Sequence, residues 1–410
     1  MPVSLLPRLA VLGRCISRLT LVLAFLSSPL TALAGDEESS FTLQGFGTLG
    51  VARSTTKDVE FVRDLSQRRG IVDEWSPAID SVLGVQGSWR INPQFEAVAQ
   101  ATGRAGSRGG FTPELTWAYV KYDPTPYLSL RAGRLGTEFF MLADSRWVGY
   151  SFLTVRPPGD YFWYLPFYGI HGGDAAVSAN VGEGVVRGKV FYGLSRGKIP
   201  LASEDWNING SPMMGAYLEY QIGGWHLRGS YANLRFEHDL PIAQVLPSPL
   251  TLSTAAANFL QTRGKRTHYY SLGVVYDQGP WQAQLMLNHI EQGTEALESS
   301  DGGYGLVGYR IASVTPYLGY SWVYSHERAT PLGFDPVTTG VIRYVRQDSH
   351  TDQKTTFIGV RWDVVRNVAL KAQWDAIRGA SDSYFPYRKD HRATWDGKTN
   401  IFSLTLDFVF

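Results

Sequence analysis

Between residues 136 and 174 the chain gathers charge of both signs. Glu138, Asp144, Asp160 and Asp174 stand against Arg146 and Arg156, a local balance of −2. Flanking segments supply Arg53, Arg90, Arg104, Arg131 and Arg134. Acids set against arginines across a narrow, partly dehydrated space make and break no bonds. They create a transverse field that orders water, favours solutes with matching dipoles and impedes apolar ones. The chemistry these residues suit is electrostatic sorting.

Bond-making chemistry has little to stand on. The 8 histidines are scattered, and His226, His268 and His289 fall on separate predicted strands without partners two residues away, so no metal site is expected. No HExxH, GxSxG, P-loop or dinucleotide fingerprint occurs in a strand–helix context, and no cofactor is expected. The glycine-rich stretch 103–110 resembles a phosphate cradle only in composition. Ser230 and His226 share one face of a predicted strand, but a lipid-facing hydrolase would need them on the opposite face, so an enzyme is not expected.

The elements that position these charges are strands. The chain has 410 residues, 18% charged and 13% aromatic, with 43 Gly, 21 Pro and a net charge of +1. Near-neutral charge argues against a dedicated nucleic-acid binder, and the aromatic content against disorder. Residues 1–34 read as a secretory signal: Arg8, Arg14 and Arg18, an apolar run Leu19–Leu26, Pro29, then Ala32-Leu33-Ala34, so the mature chain is expected to start at Gly35. The apolar run is too short to anchor in a membrane, and Pro29 interrupts it. Cys15, the only cysteine, lies in this leader. Its removal takes away three of the 38 basic residues and none of the 37 acidic ones, which leaves a net charge of −2. No later stretch approaches 18 uninterrupted apolar residues.

In 367–375, Val368, Leu370, Ala372 and Trp374 share one face while Lys371, Gln373 and Asp375 share the other. This two-residue period recurs in sixteen segments: 41–54, 80–91, 94–104, 112–122, 127–135, 172–181, 184–196, 213–222, 225–236, 266–278, 280–291, 301–311, 315–326, 354–365, 367–379 and 398–410. Each is long enough for the roughly 9–11 tilted residues that cross a bilayer. Tight turns such as Asn92-Pro93, Gly182-Glu183 and Gly223-Gly224 alternate with mostly long connections, 55–79, 136–171, 197–212, 237–265, 327–353 and 380–397, with 105–111 and 292–300 shorter. One rim of tight turns and one of long loops predicts an all-β, antiparallel up-and-down transmembrane barrel of about sixteen strands, whose closure satisfies every backbone group in lipid. Trp89, Trp225, Tyr276, Trp281 and Trp374 are placed for interfacial girdles.

The last segment alternates Phe402, Leu404, Leu406, Phe408 and Phe410 with smaller or polar residues and ends on Phe410. With this strand order the chain resembles the general porins of Gram-negative bacteria. Asp144-x-Arg146-x-Val148-Gly149-Tyr150, Val155-Arg156-Pro157-Pro158 and Gly172-Gly173-Asp174 resemble a proteobacterial porin subgroup, with weaker matches at Leu83-Gly84-Val85-Gln86 and Gly45-Phe46-Gly47. The Phe-Trp-Tyr run at 162–164 is more aromatic than that pattern. The resemblance implies a single barrel domain over 35–410, with the third external loop, 136–171, folded inward as the constriction. It nominates Glu138, Asp144, Arg146, Arg156, Asp160 and Asp174 on the loop, facing Arg53, Arg90, Arg104, Arg131 and Arg134 on the wall. It further implies an outer-membrane location, a homotrimer, and recognition of Phe410 by the barrel assembly machinery.

The expected function is passive diffusion of ions and small hydrophilic solutes. The alternatives are a substrate-selective channel, or a plugged, receptor-like or structural barrel working through 237–265 and 327–353. Polar inward positions such as Gln282, Gln284 and Asn288 favour the channel. The eleven aromatics of 136–171 suit packing of the loop against the wall better than a slide for sugar rings. For the trimer, the outward face of the first strand offers Leu43, Gly45, Gly47, Leu49 and Val51, where small residues permit close packing.

Overall fold

Sixteen strands of 9 to 15 residues follow one another round a closed sheet, each antiparallel to its neighbours. They are β1 (Phe41–Ser54), β2 (Val82–Arg90), β3 (Phe95–Ala105), β4 (Phe111–Thr125), β5 (Leu128–Gly136), β6 (Gly169–Val181), β7 (Gly184–Ser195), β8 (Pro212–Ile222), β9 (Trp225–Arg235), β10 (Arg266–Gln278), β11 (Trp281–Gln292), β12 (Ser299–Tyr309), β13 (Val314–His326), β14 (Asp352–Val365), β15 (Val368–Gly379) and β16 (Lys398–Val409). The computed structural model describes residues 40–107, 109–165, 169–201, 204–329, 331–383, 387–388 and 394–410. The predicted leader, with its cleavage point at Ala34, lies outside these residues.

The two-residue period decides which side chain goes where. On β16, Phe402 and Leu404 are exposed while Ser403, Thr405 and Asp407 are buried. The same split separates Leu83 and Val85 from Val82 on β2, and Leu285 and Leu287 from Met286 and Asn288 on β11. An exposed apolar belt with polar residues behind it is the pattern of a wall between lipid and an aqueous lumen. Near the tight-turn rim Trp89, Trp225 and Trp281 are exposed, whereas Trp374, also exposed, lies midway along β15 and not in that girdle. Trp225 packs on Tyr276 and Trp281 on Tyr309, with ring centroids 4.6 and 4.8 Å apart. Amphipathic rings at this rim suit the level where headgroups meet the acyl chains.

The tight turns use residues that tolerate a left-handed backbone: Gly182 has φ 60° and Asn367 has φ 67°. One extra residue, Thr116, sits in β4 opposite Gln100 and Ala101 and forms a bulge.

Barrel closure joins β1 to β16, from Phe46 opposite Val409 to Ser54 opposite Ile401. Gly45 and Gly47 lie under the rings of Phe410 and Phe408, so a side chain at either glycine would collide with its own chain's last strand. Their small size serves this seam.

The long loops pack on one another. Ile242, Ala256 and Leu260 of the 237–265 loop share an apolar cluster with Val341, Ile342 and Val345 of the helix Pro336–Gln347. That helix is capped by Asp335, whose side chain accepts from the amides of Val337 and Thr338 at 2.9 and 3.0 Å.

Candidate functional site

The segment after β5 is tied to the polar side of the wall along its length. Its aromatic residues Phe139, Phe140, Tyr161, Phe162, Trp163 and Tyr164 are buried in one cluster with Tyr269, Met286, Tyr304, Tyr317 and Phe357 of β10 to β14. The Phe139 carbonyl accepts from Ser230 at 2.8 Å, and the Tyr161 carbonyl from Asn288 at 3.0 Å. Packing therefore accounts for the aromatic content of the segment. Pro166, Phe167 and Tyr168 lie outside the described residues.

A second anchor is ionic. Arg156 holds Asp80 with both Nε and Nη2, at 2.9 and 2.7 Å, and Asp375 of β15 with Nη1 at 2.8 Å. Arg63 stands 3.9 Å from Asp80. Beside this group Lys371 of β15 contacts Asp407 of β16 at 3.0 Å and donates to the carbonyls of Gly149 and Thr154 at 2.8 and 3.0 Å. All of these side chains are buried. Gly149 packs so tightly on Asp407 and Thr48 that a Cβ there has no room. Buried charges are tolerated because every one has partners at hydrogen-bond distance. Asp160 is held by Ser321 at 2.6 Å and by Gln353. Burial pushes its carboxyl above the usual range, against the pull of those two hydrogen bonds.

Further round the inner face, at β5 to β9, the charges line a cavity of about 380 Å³. Arg131 of β5 contacts Asp174, its register partner on β6, at 2.5 Å and Glu138 at 2.8 Å. Lys189 of β7 reaches the same Glu138 oxygen at 2.6 Å. Glu219 of β8 lies between Arg187 and Arg228 in the sheet register, and Arg228 donates to it at 2.6 Å while stacking 4.0 Å over Tyr217. Asp144 and Arg187 are the exposed charges among these. Burial alone would raise the Glu138 carboxyl, but Lys189 and Arg131 bring it down to about 2. The Asp144 carboxyl, though open to the cavity, is raised, first by partial desolvation inside the barrel and then by the charge of Glu138.

The expected opposition of an acidic loop to an arginine wall needs revision. Glu138 does face Arg131, but on the β15–β16 side the polarity is reversed, with the loop's Arg156 facing wall acids. Arg146 and Arg104 are buried around Trp147, their guanidinium carbons 5.5 and 4.0 Å from its ring. Arg53 shares the outward parity of Leu49 and Val51 and pairs with Asp73 at 2.5 Å. Arg134 lies three residues from Arg131, hence on the opposite face, where it bonds His171 at 3.0 Å. Arg90 ends β2 at the tight-turn rim, opposite Glu96. Neither Arg53, Arg90 nor Arg134 lines the cavity.

Lys189, Arg187, Glu219 and Arg228 were missed. Each sits on the polar face of its strand, a signal the period carries, but only closure brings them opposite the loop. Ser230 and His226 form no hydrolytic pair: the Ser230 hydroxyl bonds Phe139 and Ser271, and His226 stands 3.4 Å from Glu219.

A closed sixteen-stranded antiparallel barrel, apolar outside and charged within, defines an outer-membrane channel. The sequence profile of the Gram-negative porins matches residues 19–404, and the chain belongs to that family. It is an outer-membrane diffusion channel and not an enzyme. No curated protein matches the chain. Solved structures share the fold at low identity. OmpT, an outer membrane protein of Vibrio cholerae, superposes with a TM-score of 0.55 at 12% identity, covering 91% of this chain and 99% of that one. The Salmonella typhi OmpF complex with daunomycin gives 0.54 at 12%, covering 92% and 99%. An anion-selective porin from Comamonas acidovorans gives 0.51 at 12%, covering 91% and 100%.

Proposed function

We propose that the 136–171 segment is the constriction of a general diffusion channel for ions and small hydrophilic solutes. The observation that carries this reading is the cavity where Glu138 and Asp144 meet Arg131, Arg187, Lys189, Glu219 and Arg228. Four cations and three acids converge in a confined space, where fields are screened less than in bulk water. The lining has a net charge of +1, which supports a modest anion preference. Planar-bilayer recording of the purified protein tests this reading. Stepwise conductance with a reversal potential displaced towards anions is the expected result. An absence of conductance steps would instead favour a plugged barrel.

Three further assignments belong to this reading. The chain is exported with cleavage after Ala34, and Phe410 is part of what the barrel assembly machinery reads. It works as a homotrimer whose contact face includes Leu43, Leu49, Val51, Leu83 and Val85, all exposed on β1 and β2. Light scattering in mild detergent that gave only monomer would contradict the trimer.

A further inference from the structure

Near the long-loop rim, three adjacent strands bring two imidazoles to one carboxylate. His289 of β11 and Asp301 of β12 are register partners. His326 of β13 is opposite Ser299, two residues along β12 on the same face as Asp301. Nδ1 of His289 lies 2.6 Å from one carboxylate oxygen of Asp301, and Nε2 of His326 lies 2.6 Å from the other. One donor atom from each residue lies within 4.8 Å of the others. The side chains are 44%, 48% and 57% exposed, so all three are reachable from outside the barrel. Parity with exposed Leu285 and Leu287 puts His289 on the outward face, away from the cavity described above. The Tyr270 ring flanks His289 at 6.0 Å, and Tyr324 is the register partner of Asp301.

We propose that His289, Asp301 and His326 form a surface site for a divalent transition-metal ion, which fastens β11, β12 and β13 together at the long-loop end. Two nitrogens and one carboxylate suit zinc, copper or nickel, whereas magnesium and calcium require a shell of oxygens. An ion bound at about 2.0–2.2 Å from each ligand takes the place of the imidazole protons shared with Asp301, and small side-chain rotations bring the donors into range. Water fills the remaining coordination positions.

The test uses the purified, chelator-treated, folded full-length barrel in detergent. Zinc is titrated calorimetrically, and copper is followed by electron paramagnetic resonance. Binding of one ion per chain is expected, with a copper signal that shows two nitrogen ligands. His289→Ala, His326→Ala and Asp301→Asn each weaken binding by at least roughly 10- to 100-fold. His238→Ala, in the 237–265 loop, leaves it unchanged. Heat-modifiable mobility on gels confirms that each variant is folded. No saturable zinc binding, wild-type affinity in the two histidine variants, or equal binding of magnesium would overturn the proposal.

Discussion

Gly45 and Phe410 bond each other twice, the amide of each donating to the carbonyl of the other at 2.9 Å, while the Phe410 ring fills the space above Gly45. Phe410 thus helps close the barrel against β1. This gives Phe410 a structural role in addition to any recognition by assembly factors.

Two variants probe that seam. Phe410→Ala removes the ring, and Gly45→Val displaces it. Both are expected to lower the yield of heat-modifiable barrel severalfold and to leave the conductance of the assembled fraction near wild type. Normal yield for both would contradict the seam assignment.

The Arg156 anchor gives a second test. Arg156→Ala strands Asp80 and Asp375 in a buried setting at a cost of about 3–5 kcal/mol. The loop is then expected to loosen, seen as noisier and larger conductance and as protease cleavage within 137–165. Adding Asp80→Asn and Asp375→Asn to Arg156→Met removes the stranded charges and is expected to recover part of that loss. Gly149→Ala, which forces a methyl against Asp407 and Thr48, is expected to loosen the same contact.

Acid pH separates two of the three cavity acids, Asp144 and Glu138. The raised Asp144 carboxyl loses its charge first as pH falls, above the usual range near 4. Glu138, held at about 2, stays ionised through that step. The reversal potential is expected to move further towards anions as pH drops from 7 to about 4, and Asp144→Asn should remove most of the step. A depressed carboxyl such as Glu138 stabilises the fold above its unfolded value of 4.5, and this contribution fades as pH falls through about 2. Loosening of the loop therefore comes only at more acid pH than the change in selectivity. An unchanged pH response in Asp144→Asn would remove Asp144 from the conducting path.

The wall was legible because its signals are local. Val368, Leu370, Ala372 and Trp374 alternate with Lys371, Gln373 and Asp375 within nine residues, and Gly182-Glu183 marks its turn directly. All sixteen predicted segments correspond to strands of the barrel. The site was legible only in part, because its pairings are remote. Arg156 and Asp375 lie 219 positions apart, and no short-range pattern joins them. Arg53 and Arg134 stand at strand ends, but parity with Leu49 and against Arg131 puts both on the outward face. The cluster of His289, Asp301 and His326 leaves no local pattern, because its members lie on three neighbouring strands.

Arg187 and Asp144 offer the most direct test of the constriction. They are the exposed charges of the cavity, and their removal leaves the buried pairs intact. The measurement is the reversal potential under a salt gradient for Arg187→Gln and for Asp144→Asn. Arg187→Gln is expected to shift it towards cations and Asp144→Asn towards anions, both effects fading near 1 M salt, where the screening length is about 3 Å. Values unchanged from wild type in both variants would contradict the assignment of this cavity as the path of ions.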